Sequence, residues 1–484
     1  MITVTLPTRS LERRSTAGSV MLLVLVFGSV FFTVLVALSG FVLEQNHAQE
    51  ITREKSEAFS IAEAGLEYYR WFLSHFPGNT QNNTGHNGPF TVTYADPEGG
   101  TVGSYTLAIT GNVACGVVQS IDVTSTGVPA DAPNVSSTLW ARYAQPSVAR
   151  YLGVYNASVW FGPGPLYGPI HDNGGIRMDG APNAPITSSV SSWYCDSSFG
   201  CHPGQTEPGV FGGGTNSNFW NYPTPQVDFT AIASNFSTLK SIAQTSGLYF
   251  PPISSKKNAH VGYHLVFNGD GTVTVSTVTA VDAGTRSIPA DGTSGVFTPD
   301  YTRILSETTL GTYTVPTNCG LIFVEDNAWI EGTVSGKVTV VAANVTSPGV
   351  YPNIVLPNNI TYATYDGTSG LTAIASHDVL ISPDAPSNLT LDGIFVAQSG
   401  VFGSNLYNCN TPSFANKSTL TMLGTTVSAL RPVTYWTYNG GPGCSNYSGY
   451  PNGTATFDRQ NSTNPPPFTP VTSTQWQFVD WRQE

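Results

Sequence analysis

The residues best suited to chemistry are few, and their spacing argues against most of the chemistry they could do. Among eight histidines, His260 and His264 stand four apart in HVGYH. On a helix that spacing would aim both imidazoles at one zinc ion, but the glutamate of a zinc-protease helix is missing and the run continues into strand-like LVFNGDGTVTV. They read as surface or packing histidines. The NGDG at 268–271 puts Asn268 and Asp270 in a tight turn without the spaced oxygens and distal glutamate of a calcium loop. His171-Asp172-Asn173-Gly174-Gly175 reads as a polar turn between strands. The chain contains no GxSxG elbow, no GxxxxGK[ST] loop and no GxGxxG opening a helix. The expectation is a protein that is not an enzyme, with no catalytic, metal or cofactor residue and no cofactor. A carbohydrate-active β-helix enzyme, whose acids come from separate rungs and leave no local motif, is the minor alternative.

The six cysteines, Cys115, Cys195, Cys201, Cys319, Cys409 and Cys444, include no CxxC pair, which removes zinc ribbons and thioredoxin-like sites. Cys195 with Cys201, and Cys409 with Cys444, each bracket a loop and are disulfide candidates in an oxidising compartment. Cys115 and Cys319 can pair only if the fold brings them together. Only 10% of the 484 residues are charged, the net charge is -12, and Lys and Arg number 19. No basic face for nucleic acid follows from that balance. Gly 49 and Pro 34 indicate many turns between short strands.

The elements that carry these residues begin with Ser19–Val42, an uncharged run of roughly 34 Å as a helix, enough to cross a bilayer core. It is too long for the apolar region of a cleaved signal peptide. Arg9, Arg13 and Arg14 precede it and Glu44 and Glu50 follow, which places the N-terminus in the cytoplasm and the body outside. No proline occurs from there until Pro77, and Ile51, Ala58, Ala62, Gly65, Tyr69, Phe72 and Phe76 recur at helical spacing. One helix of about 85 Å is expected, its outer half laying an apolar, small-residue face on a sheet. A juxtamembrane coiled-coil stalk is the alternative.

Three features of this region resemble PilX-type pilus assembly proteins, a minor-pilin group of the type IV pilus system. They are the leader ending Arg13-Arg14-Ser15-Thr16-Ala17-Gly18, the apolar run from Ser19, and Ala58-Phe59-Ser60-Ile61-Ala62-Glu63-Ala64-Gly65-Leu66. The resemblance covers about the first 76 residues. It implies processing between Gly18 and Ser19 by a prepilin peptidase. The mature fifth position, a glutamate in most pilins, is Leu23 here, so the resemblance implies an accessory or tip subunit more than a major one.

From Phe90 the period becomes two, in FTVTYA, SYTLAIT, SIDVTSTG and STLWARYA, as in an antiparallel head. Beyond Arg150, runs such as GLIFVEDNAWIEG, VSGKVTVVAAN and SNLTLDGIFVAQ look like successive rungs without a strict repeat. The fold class expected is mainly β with one long N-terminal α-helix. A pilin-like helix and β-sheet head are followed by a right-handed β-helix or solenoid-like domain, with a β-sandwich as the alternative. The expected divisions are leader 1–18, transmembrane and amphipathic helix 19–76, head 77–150, β-helix-like extracytoplasmic domain 151–460 and Pro-rich tail 461–484. Partners follow: pilin subunits or other pilus assembly proteins, the inner membrane, and an extracellular glycan or protein, but no nucleic acid. The competing function is a tethered solenoid adhesin outside any filament.

Overall fold

Pro77 sets the end of the first element, because its ring cannot continue a helix and disfavours the helical conformation in the residue before it. The computed structural model describes residues 17–229, 235–253, 260–347, 349–408, 411–438 and 446–484. Its first element, α1, runs unbroken over Ala17–His75. Within the apolar half, the hydroxyls of Ser29 and Thr33 donate back to the carbonyls of Val26 and Val30 at 2.8 Å, so neither polar group is left unpaired.

The second half of α1 lies on an antiparallel sheet of five strands. Four follow in order: β1 (Phe90–Ala95), β2 (Thr101–Ala114), β3 (Val117–Pro129) and β4 (Ser137–Ala144). The two-residue turn between β2 and β3 has Cys115 and Gly116 both at positive φ, 51° and 78°. That is the hairpin turn whose twist matches its flanking strands. The fifth strand is the C-terminal Gln477–Gln483, antiparallel to β4. Residues 461–484 are therefore more than a proline-rich connector: their last stretch closes the head sheet, where the Phe478 ring lies 4.2 Å from that of Tyr143. The large β region is inserted between the fourth and fifth head strands.

That region is built mainly from parallel ladders, with Gly262–Asn268, Thr272–Val281 and Ile304–Thr314 added to them in antiparallel pairs. One ladder runs Leu248–Phe250, Leu321–Val324, Lys337–Ala342, Gly370–Ala375, Asn388–Ala397 and Thr419–Ser428. It then continues into Gly153–Tyr155, Ile170–Asp172, Ile186–Ser188 and Trp220–Asn221. The chain thus enters the stack in its middle, builds outward to residue 221, and resumes at the opposite end. Where the two runs meet, Thr419–Ser428 pairs through its first half with Asn452–Thr456 and through its second half with Gly153–Tyr155. One coil is therefore shared by two ends of the chain. The pairing is solenoid-like; a sandwich of antiparallel sheets is not the arrangement.

The main ladder is buried on both faces. Ile322, Val340, Ala373 and Phe395 stack in register toward the interior. Their neighbours Phe323, Val341, Ile374, Val396, Val427 and Val154 stack on the other side, beneath a helix (Phe236–Ser246) that contributes Leu239 and Ala243. Burial on both faces explains why LIFV is continuously apolar and KVTVVA and GLTAIA nearly so, in place of the alternation seen in the head.

Candidate functional site: the long N-terminal helix and its docking sheet

Small residues decide where α1 meets the sheet. Ala58, Ala62 and Gly65 form its closest line of approach, and Ile61, Leu66, Tyr69, Phe72 and Leu73 are buried beside them. Across the interface stand Leu107, Ile121, Val123, Leu139, Ala141 and Tyr143, the inward-facing residues of β2, β3 and β4. A Cβ on Gly127 would lie 2.3 Å from the Ala58 carbonyl oxygen and 2.4 Å from the Ala62 nitrogen. A Cβ on Gly65 would meet Ser125 Oγ at 2.3 Å and the Tyr105 ring at 2.9 Å. At Gly127 helix and strand touch backbone to backbone, which a residue with a Cβ would not allow.

One tyrosine ties β4 to the helix, and another ties the helix to the loop that follows it. Tyr143 donates its hydroxyl to the Leu66 carbonyl, and Tyr69 donates to the Asn79 carbonyl at 2.5 Å. Burial holds both phenols above the ordinary tyrosine range, so they remain neutral donors. The face expected from spacing is thus occupied over Ala58, Ala62, Gly65, Tyr69 and Phe72. Ile51 and Phe76, at its two ends, are exposed. Glu63 is exposed on the opposite side of the helix.

The inner half is bare. Side chains from Val20 to Leu43 lie against no other part of the molecule, and Leu23 is 55% exposed. This helix is long and apolar enough to cross a membrane. Gly18 and Ser19 lie in its first turn, while the arginines at 9, 13 and 14 fall outside the described residues.

The other sequence candidates are dispersed. Cys195 and Cys201 form a disulfide, and Cys409 and Cys444 fall outside the described residues. A second disulfide joins Cys115, in the β2–β3 turn, to Cys319, just before Leu321–Val324. The Cys115 amide also donates to the Asn318 carbonyl at 2.9 Å. This bond ties the head to the solenoid, and a separation of 204 residues gave no sequence signal for it.

His260 and His264 part company. His260 stacks flat on Tyr301 with ring centres 3.6 Å apart. His264, on the strand Gly262–Asn268, sits with Nδ1 2.8 Å from Glu307 and Nε2 3.2 Å from Glu331. Asp270 accepts from the Thr272 amide and hydroxyl, a turn with no ligand geometry. Asp172 is fully buried; one oxygen accepts from the Gly174 amide at 2.7 Å, and burial raises its pKa well above the carboxylate range. Two of the clefts bear on an enzymatic reading: one, of about 270 Å³, lies where the head meets Pro465, Pro466 and Phe468 and is lined by no carboxylate. The other, about 230 Å³, is lined by Tyr362, Tyr365 and Asp458. The Asp458 carboxylate there is spent on the amides of Gln460 and Asn461 and on Asn461 Nδ2.

No protein-family model and no curated protein matches the chain. Among solved structures, the chain is similar to the competence-associated pilin ComZ from Thermus thermophilus, at 12% identity, over 89% of this chain and 97% of that one. The TM-score is 0.31, too low to establish a common fold.

Proposed function

We propose that this chain is a pilin-like structural protein, anchored in the inner membrane through α1, that acts as an accessory or tip subunit of a type IV pilus-type assembly. The observation that supports it is one uninterrupted helix divided into two chemically different halves. The inner half is apolar and bare. The outer half is seated on an antiparallel sheet through Ala58, Ala62, Gly65 and Gly127. A helix that served only as a tether would not need the outer half docked at backbone contact. In this reading the arginines before the span keep the N-terminus inside. Processing after Gly18 leaves Ser19 as the new terminus, and the solenoid is carried outward as a binding or spacer surface. The protein is not an enzyme in this reading; the carboxylate of its Tyr-lined cleft is committed to backbone amides.

The test is to isolate membrane and sheared filament fractions from cells producing the tagged chain. An N-terminus at Ser19 and co-purification with a major filament subunit are expected. A full-length N-terminus, with the chain confined to the membrane fraction, overturns the filament reading and leaves a tethered solenoid adhesin.

A further inference from the structure

Three groups with metal-binding chemistry come together far in sequence from the anchor helix. Asp291, His377 and Asp378 each offer one ligand atom, and these atoms lie within 4.8 Å of one another. They come from separate stretches. Asp291 stands in the loop between the paired strands Arg286–Ile288 and Thr298–Pro299. His377 and Asp378 form the turn between Gly370–Ala375 and Val379–Ile381.

Each group is held by its surroundings. The Ala290 amide donates to Asn405 Oδ1 at 2.9 Å, which seats the loop on the solenoid. Asp291 Oδ1 accepts from the Thr293 amide and hydroxyl, leaving its other oxygen without a partner among the described residues. The His377 amide donates to the Pro352 carbonyl and the Asp378 amide to Asn353 Oδ1. Asp378 Oδ1 accepts from the Val401 amide at 2.8 Å, so Oδ2 faces His377 Nδ1 at 3.0 Å. Asp378 is 5% exposed, whereas Asp291 and His377 are partly exposed. The cluster has a buried floor and an open side.

Charge argues for an occupant. Two carboxylates face one imidazole, and no Lys or Arg pairs with either aspartate among the described residues. His377 pairs with the buried Asp378 and can balance only one of the two carboxylates, which leaves the charge of Asp291 for a cation. Imidazole nitrogen and carboxylate oxygen are both donors that zinc accepts, and three such protein ligands leave its fourth position to a water. Calcium wants six or more oxygens, which this set does not offer. A zinc shell places donors roughly 3.4 Å apart, so closure requires side-chain movements on the order of an ångström.

We propose that Asp291, His377 and Asp378 form a binding site for a divalent zinc-type cation, which ties the loop at 289–297 to the solenoid wall. The site is independent of the anchor reading.

Equilibrium dialysis of the full chain in detergent against zinc alone tests it. Saturable binding is expected in the parent. Asp291→Asn and His377→Gln are each expected to weaken it by more than about tenfold, with calcium failing to compete. Zinc is also expected to protect the loop at 289–297 from limited proteolysis in the parent but in neither variant. Absence of saturable binding, unchanged affinity in the variants or displacement by calcium overturns the proposal. Should His377→Gln not fold, as judged by circular dichroism, Asp291→Asn on the partly exposed loop decides the question.

Discussion

Between Glu307 and Glu331, the His264 imidazole is held in its charged form more firmly than in water. Burial disfavours the imidazolium, but hydrogen bonding and attraction from Glu331 and Glu307 outweigh it and raise the pKa. Glu331 moves the opposite way, lowered chiefly by His264. Stability from a raised histidine is fully present below its ordinary value of about 6.5 and is lost as pH rises through the folded value. The midpoint of thermal unfolding is therefore expected to fall from pH 6 towards pH 8, and His264→Gln to flatten that slope. A variant whose slope matches the parent's would show that the cluster is not coupled to folding. The spacing of His260 and His264 was visible in the sequence, but Glu331 reaches His264 from a strand paired with its own and Glu307 from one strand further across the sheet, neighbours made only by folding.

At the scale of elements, the seat of α1 depends on which neighbour a new methyl group would strike. On Gly127 it would strike the backbone of Ala58 and Ala62, which can yield only if the helix lifts. On Gly65 it would strike the Ser125 hydroxyl and the Tyr105 ring, side chains that can turn aside. Gly127→Ala is expected to cost about 1–3 kcal/mol and Gly65→Ala less, measured by urea unfolding of the full chain in detergent. The reverse order would mean that the helix is not held at backbone contact with β3. The helix side of this interface was legible because small residues recur at helical spacing over Ala58, Ala62 and Gly65. The sheet side was not. Gly127 ends the strand-like run SIDVTSTG, where no local pattern singles it out, and only the close approach of the helix gives it a role.

For the whole molecule, connectivity makes head and solenoid interdependent. The head sheet waits for its fifth strand until the end of the chain, and the shared coil waits for Asn452–Thr456. The Cys115–Cys319 bond closes a separation of 204 residues, against 6 for Cys195–Cys201. In the chain-entropy account the long loop contributes on the order of 5 kcal/mol and the short one about 2. Replacing Cys115 and Cys319 by serine is expected to lower the unfolding midpoint further than replacing Cys195 and Cys201, as read by calorimetry without reductant. Equal losses would argue that the head and solenoid are already fixed to each other without the bond.

Local pattern alone determined the long helix, its apolar and two-faced halves, the change to period two at Phe90 and the mainly β body. Each of these follows from side-chain periodicity within a short window, where burial on one face or on both writes itself into neighbouring residues. Tertiary structure alone decided that the solenoid is inserted in the head, that its stack is entered in the middle, that Cys115 finds Cys319, and that Asp291 meets His377 and Asp378. Those contacts join residues tens to hundreds apart. Their partners are chosen by strand registers, parallel in the ladders and antiparallel in the head and at the loop that carries Asp291, which no single stretch of chain encodes.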